Sequence, residues 1–127
     1  MKYGFSKTTD YSFEQAIEKV TEELKKEWFG VLTTIDVKDT LKKKIDVDFK
    51  KYTILGACNP KLAHSALQVE EELGLLLPCN VIVYEKKDKT IVSIFDPRVM
   101  TLVIENPEMK SVAEEVKNKV QRVLKAV

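Results

Sequence analysis

Two similar motifs are the places where this sequence could carry chemistry: Cys58-Asn59-Pro60 and Pro78-Cys79-Asn80. Cys58 ends an apolar run just before a predicted helix start, where the helix dipole favours a thiolate and lowers the cysteine pKa. A free cysteine in such a run also behaves as a small hydrophobic residue of the core. The motif therefore predicts either a reactive thiol or a core residue at Cys58.

The two cysteines could also act as a pair, with Cys58 as the nucleophile of a thiol redox or transfer protein and Cys79 resolving it. The predicted helix between them and the chain that returns from it have similar lengths, so the two sulfurs can meet. Their separation lacks the local geometry of a CxxC motif. Two unrelated buried thiols would explain the same residues.

His64, the single histidine of the chain, adds a metal hypothesis. Together with Cys58 and Cys79 it would supply three ligands, the number that leaves one zinc position open for water or substrate. A lone histidine on a helix is more often a surface residue or one satisfied by a neighbour. The sequence identifies no cofactor and leaves metal binding open.

Asn59 and Asn80 could orient a small ligand through their amide groups. A helix N-cap at Asn59 and a strand-edge position at Asn80 would account for both residues without a ligand. The candidate ligand-binding residues are therefore Cys58, Asn59, His64, Cys79 and Asn80.

Nothing in the sequence assigns a catalytic residue. The chain has no nucleophile elbow, phosphate-binding loop or dinucleotide fingerprint, and its single histidine leaves no Ser-His-Asp arrangement that can be assembled without arbitrary choices. These observations favour a protein that is not an enzyme.

Composition and charge narrow the class of partner. The chain has 127 residues, the usual size of one domain, so we treat residues 1–127 as a single domain. Its 21 Lys and Arg against 20 Asp and Glu give a net charge of +1, which favours neither nucleic acid nor an anionic membrane. The longest apolar run, Leu75-Leu76-Leu77, is far too short to cross a bilayer. The N-terminus lacks the features of a secretory signal, and a chain with only two cysteines requires no oxidising compartment. We therefore expect a cytoplasmic protein.

Hydrophobic periodicity predicts the elements that position the motifs. Ser12 and Gln15 form a capping box at the start of a helix whose apolar face reaches Trp28 and which ends at Gly30. A second strand follows at 31–37, and Asp36 could cap a short helix through residues 38–42. A third strand at 52–58 leads into a helix capped by Asn59 that continues to Gly74. This helix would place three consecutive glutamates, residues 70–72, in its last turn, where the helix dipole disfavours negative charge.

The second half of the chain contains the clearest hairpin, with strands at 80–85 and 90–95 joined by residues 86–89. Asp96-Pro97 opens a short helix, and Asn106-Pro107 opens a longer amphipathic one. With a first strand at 2–8, the predicted order is β-α-β-α-β-α-β-β-α-α. This order predicts an α+β fold in which helices cover a single sheet.

Residues 54–64, followed by residues 74–81, resemble the signature of the domain-of-unknown-function 302 family. The similarity extends over nearly the whole chain. It implies a small α+β fold broadly similar to TATA-binding-protein-like sheets, with helices on one side, and a homodimer. The family has no established activity, so the resemblance transfers no catalytic residue; it implies only that both Cys-Asn motifs and His64 belong to the signature.

Three functions follow. The leading interpretation is a dimeric, non-enzymatic binding module for a small ligand or metal near Cys58, Asn59, His64 and Cys79. The second is a thiol-based redox or transfer protein that uses the two cysteines. The third is an interaction domain without a small-molecule site, in which both motifs only cap and pack.

Overall fold

A computed structural model describes residues 2–127 as a mixed α+β fold with one antiparallel sheet, as the sequence predicts. The strands are β1 (Gly4–Thr9), β2 (Gly30–Asp36), β3 (Tyr52–Cys58), β4 (Cys79–Lys86) and β5 (Lys89–Phe95). The α-helices are α1 (Phe13–Lys26), α2 (Val37–Ile45), α3 (Pro60–Val69), α4 (Met100–Val103) and α5 (Met109–Ala126). Two 3-10 helices, Glu71–Leu75 and Pro97–Val99, complete the order.

The strands lie in the order β1-β5-β4-β3-β2, and every neighbouring pair is antiparallel. Successive side chains of a strand point to opposite faces, so β3 buries Leu55 and Ala57 on one face and leaves Ile54 half-buried on the other. On the buried face the sheet packs against α1 and α5. The core that they share includes Val20, Leu24, Val81, Val83, Val92, Ile94, Val120 and Val123.

The end of α1 differs from the prediction, which placed Trp28 on the apolar face of a helix that ends at Gly30. The capping box of Ser12 and Gln15 is present, but the helix ends at Lys26, and Trp28 takes a left-handed conformation with φ 67. The amide of Phe29 then donates to the Leu24 carbonyl at 2.9 Å, a Schellman closure of the helix. The prediction was wrong because this reversal buries Phe29 and leaves Trp28 77% exposed.

The helix after Asn59 is shorter than predicted, which removes the apparent conflict of the three glutamates with the helix dipole. α3 ends at Val69, and a separate 3-10 helix begins at Glu71. Glu71 and Glu72 therefore lie in a first turn, where free backbone amides favour negative charge, and not in a last turn.

The hairpin of β4 and β5 is tighter than the predicted connection of residues 86–89. Lys86 still pairs with Lys89, so the connection consists of Lys87 and Asp88 alone. Both have positive φ values, 51 and 64, as a type I′ turn requires. The pairing of β4 with β5 is therefore one residue pair longer than the predicted hairpin.

Candidate functional site

The motifs meet at an open cavity between α3, the adjacent ends of β3 and β4, and α5. Its volume is about 360 Å³. Its lining is mostly aliphatic and aromatic, from residues such as Phe29, Leu62, Ala66, Leu73, Met100 and Val116. We call this cavity the apolar pocket.

The sheet register brings Cys58 and Cys79 to the same pocket. Ala57 on β3 pairs with Cys79 on β4, and Cys58 is the residue that follows Ala57. Both cysteines are free thiols, and both line the apolar pocket. The structure thus unites the two motifs that the sequence singled out, through strand pairing and not through a local motif.

Burial governs the chemistry of both thiols. It raises the pKa of the half-buried Cys58 thiol above its ordinary value. Burial, with a further contribution from Cys58, raises the pKa of Cys79 to about 11. Of the two interpretations of Cys58, the raised pKa favours the core residue over the reactive thiol, because desolvation of the charged form dominates at this position. At neutral pH both sulfurs line the pocket as neutral thiols.

Asn59 is held by the fold on both sides of its amide. Its Oδ1 accepts a hydrogen bond from the Leu62 amide at 3.1 Å, which confirms the predicted N-cap of α3. Its Nδ2 donates to the Glu27 carbonyl at 3.2 Å and so ties the start of α3 to the end of α1. Asn59 is 7% exposed, and it contributes a fixed wall of the pocket.

Glu27, which receives this bond through its backbone, also anchors α5 through its side chain. Arg122 Nη2 lies 2.8 Å from Glu27 Oε1, and Arg122 Nε donates to Oε2 at 3.2 Å. The hydrogen bond from Arg122 is the main cause of the lowered pKa of Glu27. A two-bond carboxylate–guanidinium pair therefore fixes α5 beside the α1–α3 junction.

His64 and Asn80 do not join the cysteines at the pocket. His64 is exposed on α3, and Asn80 is exposed on the sheet face opposite to Cys79 because neighbouring residues of a strand alternate. Within residues 2–127 no group of three or more His, Cys, Asp and Glu side chains could hold a metal ion. The three-ligand site that the sequence suggested is not formed.

Gly56 keeps the strands close where they reach the pocket. A Cβ at this position would overlap the Thr33 Oγ1 on β2 and lie 2.9 Å from the Pro78 Cγ. Thr33 and Pro78 both line the apolar pocket. Sequence reasoning did not single out Gly56, although a glycine inside a strand indicates close approach by a neighbour.

Four exposed leucines line the pocket or follow a lining residue in the chain, and sequence reasoning did not identify them as a group. Leu32 and Leu67 line it and are 68% and 39% exposed. Leu75 and Leu76, which follow the lining residue Gly74, are 82% and 38% exposed. We call these four residues the apolar rim; the run 75–77 was the only signal of it in the sequence.

A second cavity of about 730 Å³ adjoins the first. The two share Asn59 and Leu62 as lining residues. The second cavity differs in chemistry, since its wall includes Trp28, Lys61, Ser65, Glu115 and Lys119. We call it the polar cleft.

The comparisons with known proteins match the fold and give no activity. The family described as "Domain of unknown function DUF302" matches residues 5–127. A crystal structure of the uncharacterized conserved protein DUF302 from Bacillus stearothermophilus is 27% identical, with a TM-score of 0.93. The similarity covers 99% of this chain and 98% of that chain. No curated protein matches the sequence. Within residues 2–127, every helix is too short or too polar to cross a membrane.

Proposed function

We propose that this chain, which belongs to the DUF302 family, is a binding module whose small ligand occupies the apolar pocket. The observation that carries the proposal is an open cavity of about 360 Å³ with an almost wholly apolar lining. Ligand sites of proteins are concave, mostly apolar and roughly 300–1,000 Å³ in volume. Burial of apolar surface would supply the binding energy, at about 25 cal/mol per Å².

The signature residues take different parts in this proposal. Cys58 and Cys79 contact the ligand as neutral sulfur atoms, which pack as soft apolar groups. Asn59 shapes the wall, because both ends of its amide are already bonded within the protein. His64 and Asn80 do not line the cavity, and the proposal assigns them no contact with the ligand.

Filling the pocket tests the proposal. Ala63 lines the cavity and is half-buried, so Ala63→Phe places a ring in the space that a ligand needs. With 1-anilinonaphthalene-8-sulfonate as the fluorescent probe, we expect the dissociation constant to rise by about tenfold or more, equivalent to about 1.4 kcal/mol. Ala126→Phe, at an exposed position on α5, is the matched control and should bind like the parent.

Equal probe binding by the parent and the Ala63→Phe variant, with both still folded by circular dichroism, would contradict the proposal. It would favour an interaction domain without a small-molecule site. Native mass spectrometry of protein purified from its own host, with metal analysis of the same sample, then identifies any ligand that the pocket retains.

The thiol redox alternative is favoured by one observation, the presence of both sulfurs in the same pocket. The raised pKa values oppose it, because the thiolate is the nucleophile in thiol chemistry and neither cysteine favours that form. We therefore rank it second.

We also propose that the protein is a cytoplasmic homodimer. Two free thiols suit a reducing compartment. The apolar rim supports a dimer, since large exposed apolar side chains near one pocket are typical of interaction surfaces. Leu75→Asp should shift the mass measured by light scattering from dimer to monomer, whereas Ile45→Asp, at an exposed site on α2, should not. A dimer that persists in Leu75→Asp would exclude the rim as its interface.

A further inference from the structure

The polar cleft indicates which class of ligand the apolar pocket takes. We propose that the ligand is an amphipathic monocarboxylate, with its apolar part in the apolar pocket and its carboxylate in the polar cleft. This inference rests on the proposed function. It follows from the shared wall of the two cavities, since Asn59 and Leu62 line both and a single molecule can pass over them from one cavity to the other.

Two lysines supply the positive charge of the cleft. Lys61 is exposed on α3 and forms no ion pair within residues 2–127. Lys119 Nζ lies 3.8 Å from Glu27 Oε1, whereas Arg122 holds the same oxygen at 2.8 Å. Arg122 therefore already neutralises Glu27, and the Lys119 ammonium remains available to an anion.

Glu115 sets the charge that the ligand should carry. It lines the same cleft, one helical turn before Lys119 on α5. The two lysines and this carboxylate leave the cleft with a single net positive charge. That balance suits a monoanion such as a carboxylate, while a dianionic phosphate group would meet repulsion from Glu115.

Trp28 completes the cleft with an aromatic wall. Its side chain is 77% exposed although its backbone has a positive φ of 67. Glycine is the usual residue at this helix-closing position, and a bulky residue there is strained. Core packing does not account for this residue, because most of its ring faces solvent. In the cleft the ring can cover the part of the ligand next to its carboxylate.

Trp28 also makes the inference measurable without a label, since it is the only tryptophan of the chain. The test titrates the parent protein with decanoate and with decan-1-ol, which share an apolar chain and differ in the charge of the head group. We expect decanoate to bind about tenfold more tightly, as a charge-assisted hydrogen bond to lysine allows, and to change the Trp28 emission more strongly.

Three variants separate the head-group site from the pocket. The double variant Lys61→Ala with Lys119→Ala should remove the advantage of decanoate and leave the affinity for decan-1-ol unchanged. Glu115→Gln should act in the opposite direction and strengthen decanoate binding alone, because it removes the opposing charge. Lys110→Ala, an exposed lysine of α5 that does not line the cleft, is the control and should behave like the parent.

The outcomes distinguish this inference from the proposed function. If both probes bind with equal affinity and the lysine variants change neither, the carboxylate site is refuted while the apolar pocket stands. If Glu115→Gln weakens decanoate binding, the charge assignment is refuted. If neither probe binds the parent protein, both proposals fail.

Discussion

Gly56→Ala is the substitution that most directly tests how the sheet forms the pocket. The added Cβ would overlap the Thr33 Oγ1 and lie 2.9 Å from the Pro78 Cγ, so the Thr33 side chain and the Pro78 ring, or the backbone that carries them, must shift. Overpacking of this kind costs about 1–3 kcal/mol. Without the clash, replacing a strand glycine by alanine would stabilise the fold by about 0.5–1 kcal/mol. The net expectation is a loss of about 1 kcal/mol.

The loss is measured as the free energy of unfolding in urea, and it corresponds to a fall in Tm of about 3–5 °C for a domain of this size. Gly30→Ala is the matched control, because a Cβ on that strand glycine would meet nothing within 4 Å. It should leave stability unchanged or slightly higher.

A double-mutant cycle assigns the cost to the contact itself. Thr33→Ala alone replaces an exposed side chain and should change stability by about 0.5 kcal/mol or less. Combined with Gly56→Ala it removes the nearer of the two clashing groups and should restore about half of the lost stability, about 0.5 kcal/mol, while Pro78 still opposes the new methyl group. A Gly56→Ala variant as stable as Gly30→Ala, or a cycle without coupling, would refute this account.

Two further predictions concern titrating groups. Iodoacetamide should alkylate Cys58 only slowly at pH 7.5, and the pH at which the alkylation rate is half-maximal should lie above the ordinary cysteine pKa of about 8.5. Cys79 should stay unmodified until the protein unfolds. A half-maximal pH for Cys58 below the ordinary value would restore the thiol redox function. Arg122 lowers the pKa of Glu27 in the folded state, so the ionised form is stabilised by folding. Glu27→Gln should therefore lower the free energy of unfolding at neutral pH, and its difference from the parent should shrink as the pH falls through the acid range below the ordinary glutamate pKa. A difference that stays constant with pH would show that Glu27 acts through packing alone.

The local parts of the fold were predictable because their causes lie within a few residues. The strand 52–58 and the N-cap at Asn59 were predicted where they occur, since an apolar run followed by Asn-Pro specifies a strand that turns into a helix. Trp28 was misassigned because helical spacing alone cannot show which of two adjacent aromatic residues the closing turn buries. Packing of Phe29 against the sheet decides that, and it depends on residues far along the chain.

The candidate site was predictable only in Cys58, Asn59 and Cys79. Spacing allowed Cys58 and Cys79 to come close, and the pairing of Ala57 with Cys79 places both cysteines at one pocket. The pocket itself requires α3, α5 and two strand ends at once, and no periodicity within one segment specifies such a convergence. His64 shows the converse, because it stands in the same signature and yet faces away from the pocket.

The two Cys-Asn motifs therefore resemble each other in sequence but not in role. In the first, Asn59 is bonded on both sides and fixes the junction of α1 with α3, while its cysteine is half-buried at the pocket. In the second, strand alternation sends Cys79 into the pocket and Asn80 to the opposite face. Since both cysteines line the pocket, and burial keeps both of their thiols neutral, the motifs are better suited to forming the wall of a ligand site than to carrying out a reaction.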